Sequence, residues 1–124
     1  MRREVAALGA LWLAAAPALA VETANFEVRT TADLVALCSA EPEDPLYDEA
    51  MQFCYGYVAG AAHFHQAIVH NNRIRAIACP REQVTRQDLV ATFLDWAETN
   101  PQYMDELPVE TVARAAVATW PCEQ

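Results

Sequence analysis

The sequence predicts an all-α protein, a small disulfide-braced bundle of about four to five helices. Three observations carry this. Apolar residues recur at three- and four-residue spacing in four separate segments. No stretch alternates apolar and polar residues convincingly enough to read as a strand. Four cysteines all lie downstream of an export leader, in a chain too short to rely on a large core.

The leader comes first in the chain. Arg2 and Arg3 precede an apolar run from Val5 to Ala16, then Pro17 and the small-residue site Ala18-Leu19-Ala20. This pattern is a secretory signal peptide over residues 1–20, cleaved after Ala20. The run is short for a membrane span, and the residues flanking Arg2-Arg3 do not make a twin-arginine signal. Residues 21–124 then form a single mature domain. Cleavage leaves sixteen acids against six arginines and no lysine, a formal charge of −10. Such a surface repels nucleic acid and anionic lipid. It suits a basic protein partner, or simply solubility.

Residues 21–29 read as an extended lead-in. Thr30 or Thr31 caps a first helix with Asp33 in its first turn, where the helix dipole favours an acid. Leu34, Val35, Leu37 and Cys38 supply its apolar side. Glu41-Pro-Glu-Asp-Pro45 is a loop. A long helix follows from about Asp48 to His70, with Cys54, Tyr57, Val58, Ala61, Phe64, His65 and Ile68 on one face and Asn71-Asn72 as its stop. His63, His65 and Gln66 interrupt its apolar run, against a membrane crossing. Residues 73–84 form a connection holding Cys79-Pro80. Thr85 and Asp88 resemble a capping box for a third helix with a stripe of Leu89, Val90, Phe93, Leu94 and Ala97, ended by Asn100-Pro101. Pro108 opens a last helix, expected to turn Val109, Val112, Ala113, Ala116, Val117 and Trp120 inward.

Antiparallel succession puts Cys38 and Cys54 at one end of the bundle and Cys79 and Cys122 at the other, which favours the pairs Cys38–Cys54 and Cys79–Cys122. Pairing Cys54 with Cys79 would send the chain about 24 Å up the long helix and back in roughly nine residues, near full extension. A zinc site would want cysteines two to four apart, and here the closest are sixteen apart.

Catalytic and cofactor signals are sparse. His63, His65 and His70 are spaced by two, five and seven, not the i, i+4 of a helical zinc pair. No phosphate loop is present, and Ser39, the only serine, has no histidine near it in sequence. No enzyme activity, cofactor or metal is therefore expected. Gly56 and Gly60 stand one turn apart on the long helix, where each costs about 1 kcal/mol relative to alanine. They suggest close approach of another backbone, either an intramolecular helix or a second copy.

The ordered set Leu37-Cys38, Phe53-Cys54-x-Gly56-Tyr57-x-x-Gly60, Cys79-Pro80, Val84-Thr85-x-x-Asp88-Leu89-Val90, Asn100-Pro101 and Trp120-Pro121-Cys122 resembles the Tai (Rap/Tai) family of type VI secretion amidase immunity proteins. The resemblance covers nearly all of residues 21–124. It implies a small periplasmic helical protein, often a homodimer, that binds and blocks a secreted peptidoglycan amidase. Candidate contacts for that partner are Glu41, Glu43, Asp44, Asp48 and Glu49, and the turn bearing Tyr103, Asp105 and Glu106. All are expected to be exposed and suited to a basic cleft. The competing readings are an HdeA-like periplasmic acid-stress chaperone, disfavoured by the absence of lysine, and a periplasmic helical binding domain of other purpose.

Overall fold

The computed structural model describes residues 19–123. The signal-peptide reading falls almost entirely on residues outside that range. Among the described residues four α-helices make up the bundle: α1 (Thr31–Cys38), α2 (Tyr47–His70), α3 (Arg86–Thr99) and α4 (Pro108–Thr119). No strand occurs among the described residues. The main core is built where α1, α2 and α3 meet: Leu34, Cys38, Cys54, Val58, Val90, Phe93 and Ala97. A smaller cluster of Val21, Leu37 and Ala50 closes the end of the bundle beside the 39–46 loop.

The helix boundaries follow local chemistry. The Thr30 hydroxyl accepts the Asp33 N–H at 3.3 Å, and Thr85 does the same for Asp88 at 3.1 Å. In each case the aspartate reaches back to the threonine N–H, closing a capping box. Asn71 and Asn72 end α2, with Asn72 in the left-handed region at φ 58°.

The lead-in departs from expectation. Thr23–Glu27 is a 3-10 turn rather than extended chain. The Asn25 side chain makes it so: its oxygen accepts the Glu22 N–H at 2.8 Å, while its Nδ2 donates to Asp33 at 3.1 Å. The turn ends at Val28 with φ 47°, unfavourable for a β-branched residue. Val28 is held there by packing against both core clusters.

Two helix faces are also corrected. On α2 the fully covered residues stop at Val58, and Phe64, expected in the buried stripe, is 68% exposed. At 24 residues α2 is about 36 Å long against about 12 Å for α1, so its second half outruns its neighbour. On α4, Val109 and Val117 are exposed while Pro108, Thr111 and Ala115 are buried. The helix is rotated so that Thr111 and Ala115 meet the bundle with Val112 packed beside them, while Val109 and Val117 turn outward.

That rotation has a polar cause. Helix α1 begins inside the fold, where its first N–H groups lack intrahelical acceptors. Thr31 N–H donates to the Glu106 carbonyl at 2.8 Å and Ala32 N–H to the Met104 carbonyl at 3.0 Å. The Thr31 hydroxyl bonds the Glu106 carbonyl at 3.0 Å and shares a 2.7 Å hydrogen bond with the Thr111 hydroxyl. Both threonines are fully buried.

The disulfides pair Cys38 with Cys54 and Cys79 with Cys122, at Cα separations of 5.1 and 4.9 Å, leaving no free cysteine. The first clamps the end of α1 to the second turn of α2. The second ties the 73–84 connection to the chain following α4, reinforced by the Cys79 N–H on the Trp120 carbonyl at 2.8 Å. Loop-closure entropy gives about 3 and about 4 kcal/mol respectively.

Two predictions follow from these contacts. Thr31→Val leaves the buried Thr111 hydroxyl without its partner and removes one of the two donors on the Glu106 carbonyl, the Thr31 N–H remaining, and should cost about 1–3 kcal/mol. Thr111→Val should cost less, because Thr31 keeps Glu106, and adding it to Thr31→Val should cost almost nothing; urea unfolding of the three variants measures this coupling. The second concerns Asp33. Burial is the largest single influence on its carboxyl and acts upward, but the hydrogen bonds from Asn25, Thr30 and Arg29 together hold it below its ordinary value of 3.8. Its stabilising contribution is therefore complete above that value and fades as pH falls through the lower folded-state value. Asp33→Asn should be less stable than the parent at pH 7, and the gap should close on acidification, as followed by thermal unfolding at a series of pH values.

Candidate functional site

The turn at Tyr103–Glu106 is the best-defined candidate surface. Asn100-Pro101 stops α3, and Asn100 Nδ2 donates to the Trp96 carbonyl at 2.8 Å, satisfying an orphaned helix-end acceptor. The chain then makes a 3-10 turn over Pro101–Tyr103. Its next carbonyls, Met104 and Glu106, are the ones that receive the start of α1. The turn's backbone is thus anchored inward; Met104 packs against the main core, Asp105 is exposed, and Tyr103 and Glu106, expected to be exposed, are half-buried by the contacts they make.

Those side chains form an ordered stack. The Tyr103 ring lies 5.2 Å from Trp96 at an interplanar angle of 33°. The Arg114 guanidinium sits 4.5 Å above the centre of the Tyr103 ring, and its Nε donates to Glu106 at 3.2 Å. Trp96 and Arg114 also wall a groove of about 580 Å³ between α3 and α4, completed by Glu110, Ala113, Val117 and Ala118. Leu107 and Val109, both exposed, lie at the start of α4. Tryptophan, tyrosine and arginine beside exposed apolar residues are the composition of interface hot spots. Asp105 and Glu110 make no ion pair among the described residues, so they leave this surface net acidic.

The acidic loop lies elsewhere. It follows the C-terminus of α1, whereas the Tyr103–Glu106 turn meets the N-terminus, so about 12 Å of helix separates the two candidate contacts. Glu41, Glu43, Asp48 and Glu49 are exposed, the last two in the first turn of α2. Asp44 departs from the expectation of a solvated acid. It is half-buried, with one oxygen accepting the Val21 N–H at 2.7 Å and the other the Leu46 N–H at 2.8 Å.

A second groove, of about 670 Å³, runs beneath the 79–84 loop, with Asp88 and Asp95 on one wall and Trp120 on another. His65 accepts the Ile77 N–H at 3.2 Å and fastens the 73–84 connection to α2, while His63 and His70 are exposed. No group of His, Cys, Asp or Glu among the described residues is arranged to hold a metal ion. Ser39 donates its hydroxyl to the Val35 carbonyl at 2.6 Å.

Gly56 and Gly60 are exposed, and a Cβ at either would meet nothing within 4 Å. An intramolecular close approach is therefore excluded among the described residues. Trp96 and Arg114 were not legible as site residues. Trp96 falls just off the apolar stripe of α3, and the Arg114 contacts to Tyr103 and Glu106 depend on how α4 is rotated.

The aromatic and arginine surface of this disulfide-braced helical domain has the composition of a protein-binding patch. A family model described as Rap1a immunity proteins matches residues 30–122, and the chain belongs to that family. No curated protein and no solved structure matches the chain.

The glycines supply a test of what covers α2. In dilute, monomeric protein Gly56→Ala and Gly60→Ala should each raise stability by about 1 kcal/mol, because they remove a helix penalty without a clash. A concentration-dependent loss of stability instead would show that a second copy sits on that face.

Proposed function

We propose that this chain is a periplasmic immunity protein that binds and occludes a type VI secreted peptidoglycan amidase. In this reading residues 1–20 are removed after Ala20 and residues 21–124 form the mature inhibitor. Membership of the Rap1a immunity family carries the reading. Two disulfides and no free cysteine fit an oxidising compartment. No helix among the described residues is long and apolar enough to cross a membrane.

The contact surface we assign is the Trp96–Tyr103–Arg114 stack with Asp105, Glu106 and the adjoining α3–α4 groove. Stable occlusion needs roughly 800 Å² per partner around a few well-packed anchors. The stack supplies such anchors in a rigid setting, and the flanking acids suit a basic cleft. Glu41, Glu43, Asp48 and Glu49 are outlying, exposed and better suited to steering the encounter. A second copy of the chain is the occupant we assign to the α2 face bearing Gly56, Gly60 and Phe64. Two helix-weakening glycines and a 68% exposed phenylalanine otherwise have nothing over them among the described residues.

The test is co-expression with an amidase encoded beside this gene and directed to the periplasm. The parent chain should prevent lysis. Asp105→Arg combined with Glu110→Arg should weaken binding at least tenfold, measured by calorimetry, while thermal stability stays near the parent's. Unchanged protection and affinity would place the contact elsewhere. Failure of the parent to protect against any such amidase would remove the occlusion reading.

A further inference from the structure

Among the described residues the first buried one, Val21, directly follows the bond assigned to leader removal. Leu19 is 94% exposed and Ala20 is also exposed, whereas Val21 is only 8% exposed. The Val21 side chain packs with Leu37 and Ala50 in the smaller core cluster. Its backbone nitrogen lies 2.7 Å from Asp44 Oδ2. The other Asp44 oxygen is held by the Leu46 N–H, so the carboxylate is fixed in position rather than free to swing into solvent. The half-buried carboxylate makes no ion pair with Lys, Arg or His among the described residues.

We propose that this seat is built for the amino terminus created by processing, so that cleavage converts a neutral hydrogen bond into an ion pair and locks the end of the bundle. The inference rests on the processing reading given above. Hydrolysis adds water across the Ala20–Val21 amide: Ala20 departs with the new carboxylate, and the Val21 nitrogen keeps its place and gains protons to become an ammonium. The ammonium then faces Asp44 at a separation already within the range of charge-assisted hydrogen bonds. Before cleavage the same nitrogen has one N–H and no charge. The mature domain gains an interaction that the precursor lacks, at the first buried residue among those described.

The pairing also ties two otherwise separate segments. Asp44 lies in the loop between α1 and α2, a loop already bracketed by the Cys38–Cys54 disulfide. Anchoring Val21 there presses the lead-in over Leu37 and Ala50, beneath the loop that leads into α2.

A double-mutant cycle on purified protein isolates the charge. Protein beginning at Val21 is prepared by cleaving a fusion, with the amine free or acetylated, in the parent and in Asp44→Asn. Acetylation restores the precursor's single N–H, and the asparagine keeps an oxygen acceptor for Leu46. Acetylation should lower the folding equilibrium constant about tenfold in the parent and hardly at all in Asp44→Asn. No effect in the parent, or an equal effect in both, would overturn the proposal. Mass analysis of the exported protein separates the two readings. A start at Val21 with no coupling defeats this inference alone, whereas a start at another residue defeats the processing reading and this inference with it.

Discussion

The start of α1 is the constraint on which the rest of the domain depends. A helix that begins inside a fold brings unsatisfied N–H groups with it, and here Glu106 and Met104 answer them with carbonyls from far along the chain. The Thr31 and Thr111 hydroxyls complete the arrangement without leaving a buried polar side-chain atom unpaired. Because Thr111 must meet Thr31, α4 can present only one face to the bundle. Because the 104–106 backbone must meet α1, the turn after α3 has one position. The rotation of α4, the location of Tyr103 and the stacking of Arg114 follow from one set of hydrogen bonds.

Around this polar joint the apolar core is modest, and the cross-links supplement it. Cys38 and Cys54 are themselves core residues, packed with Leu34, Val58 and Phe93, so the bridge both excludes water and restricts the unfolded chain. Cys79–Cys122 acts differently. It holds a connection with little regular structure against the end of the chain, where few apolar side chains could do the work.

Features decided locally were readable from the sequence. Thr30 and Thr85 followed three residues later by aspartate, Pro108 at a helix start and Asn100-Pro101 at a stop each carry their own chemistry, and the helices begin and end there. The disulfide pairing was readable because alternating helix direction sorts the four cysteines between two ends. The facing of α4 was not readable, since Thr111 is buried by a partner 80 residues away, and apolarity alone favours Val109 and Val117. Phe64 has a helical stripe's periodicity but no neighbour opposite it. Trp96 and Arg114 join the candidate surface only once α3 and α4 are docked, whereas Tyr103 and Glu106 could be picked from a turn expected to be exposed, although docking half-buries both. Asp44 looked like one more solvated acid because its main partner, Val21, is 23 residues away.

The unequal length of the helices has its own consequence. Up to Val58, α2 buries one side against the bundle; beyond it no residue of α2 is fully covered, and the His65 link to Ile77 is the one side-chain hydrogen bond tying this stretch to another segment among the described residues. Opening of that stretch need not disturb the joint between α1 and α4. Amide exchange along α2 should therefore be graded, slowest around Cys54 and Val58 and progressively faster toward His70, the signature of a firm base with a separately opening tip.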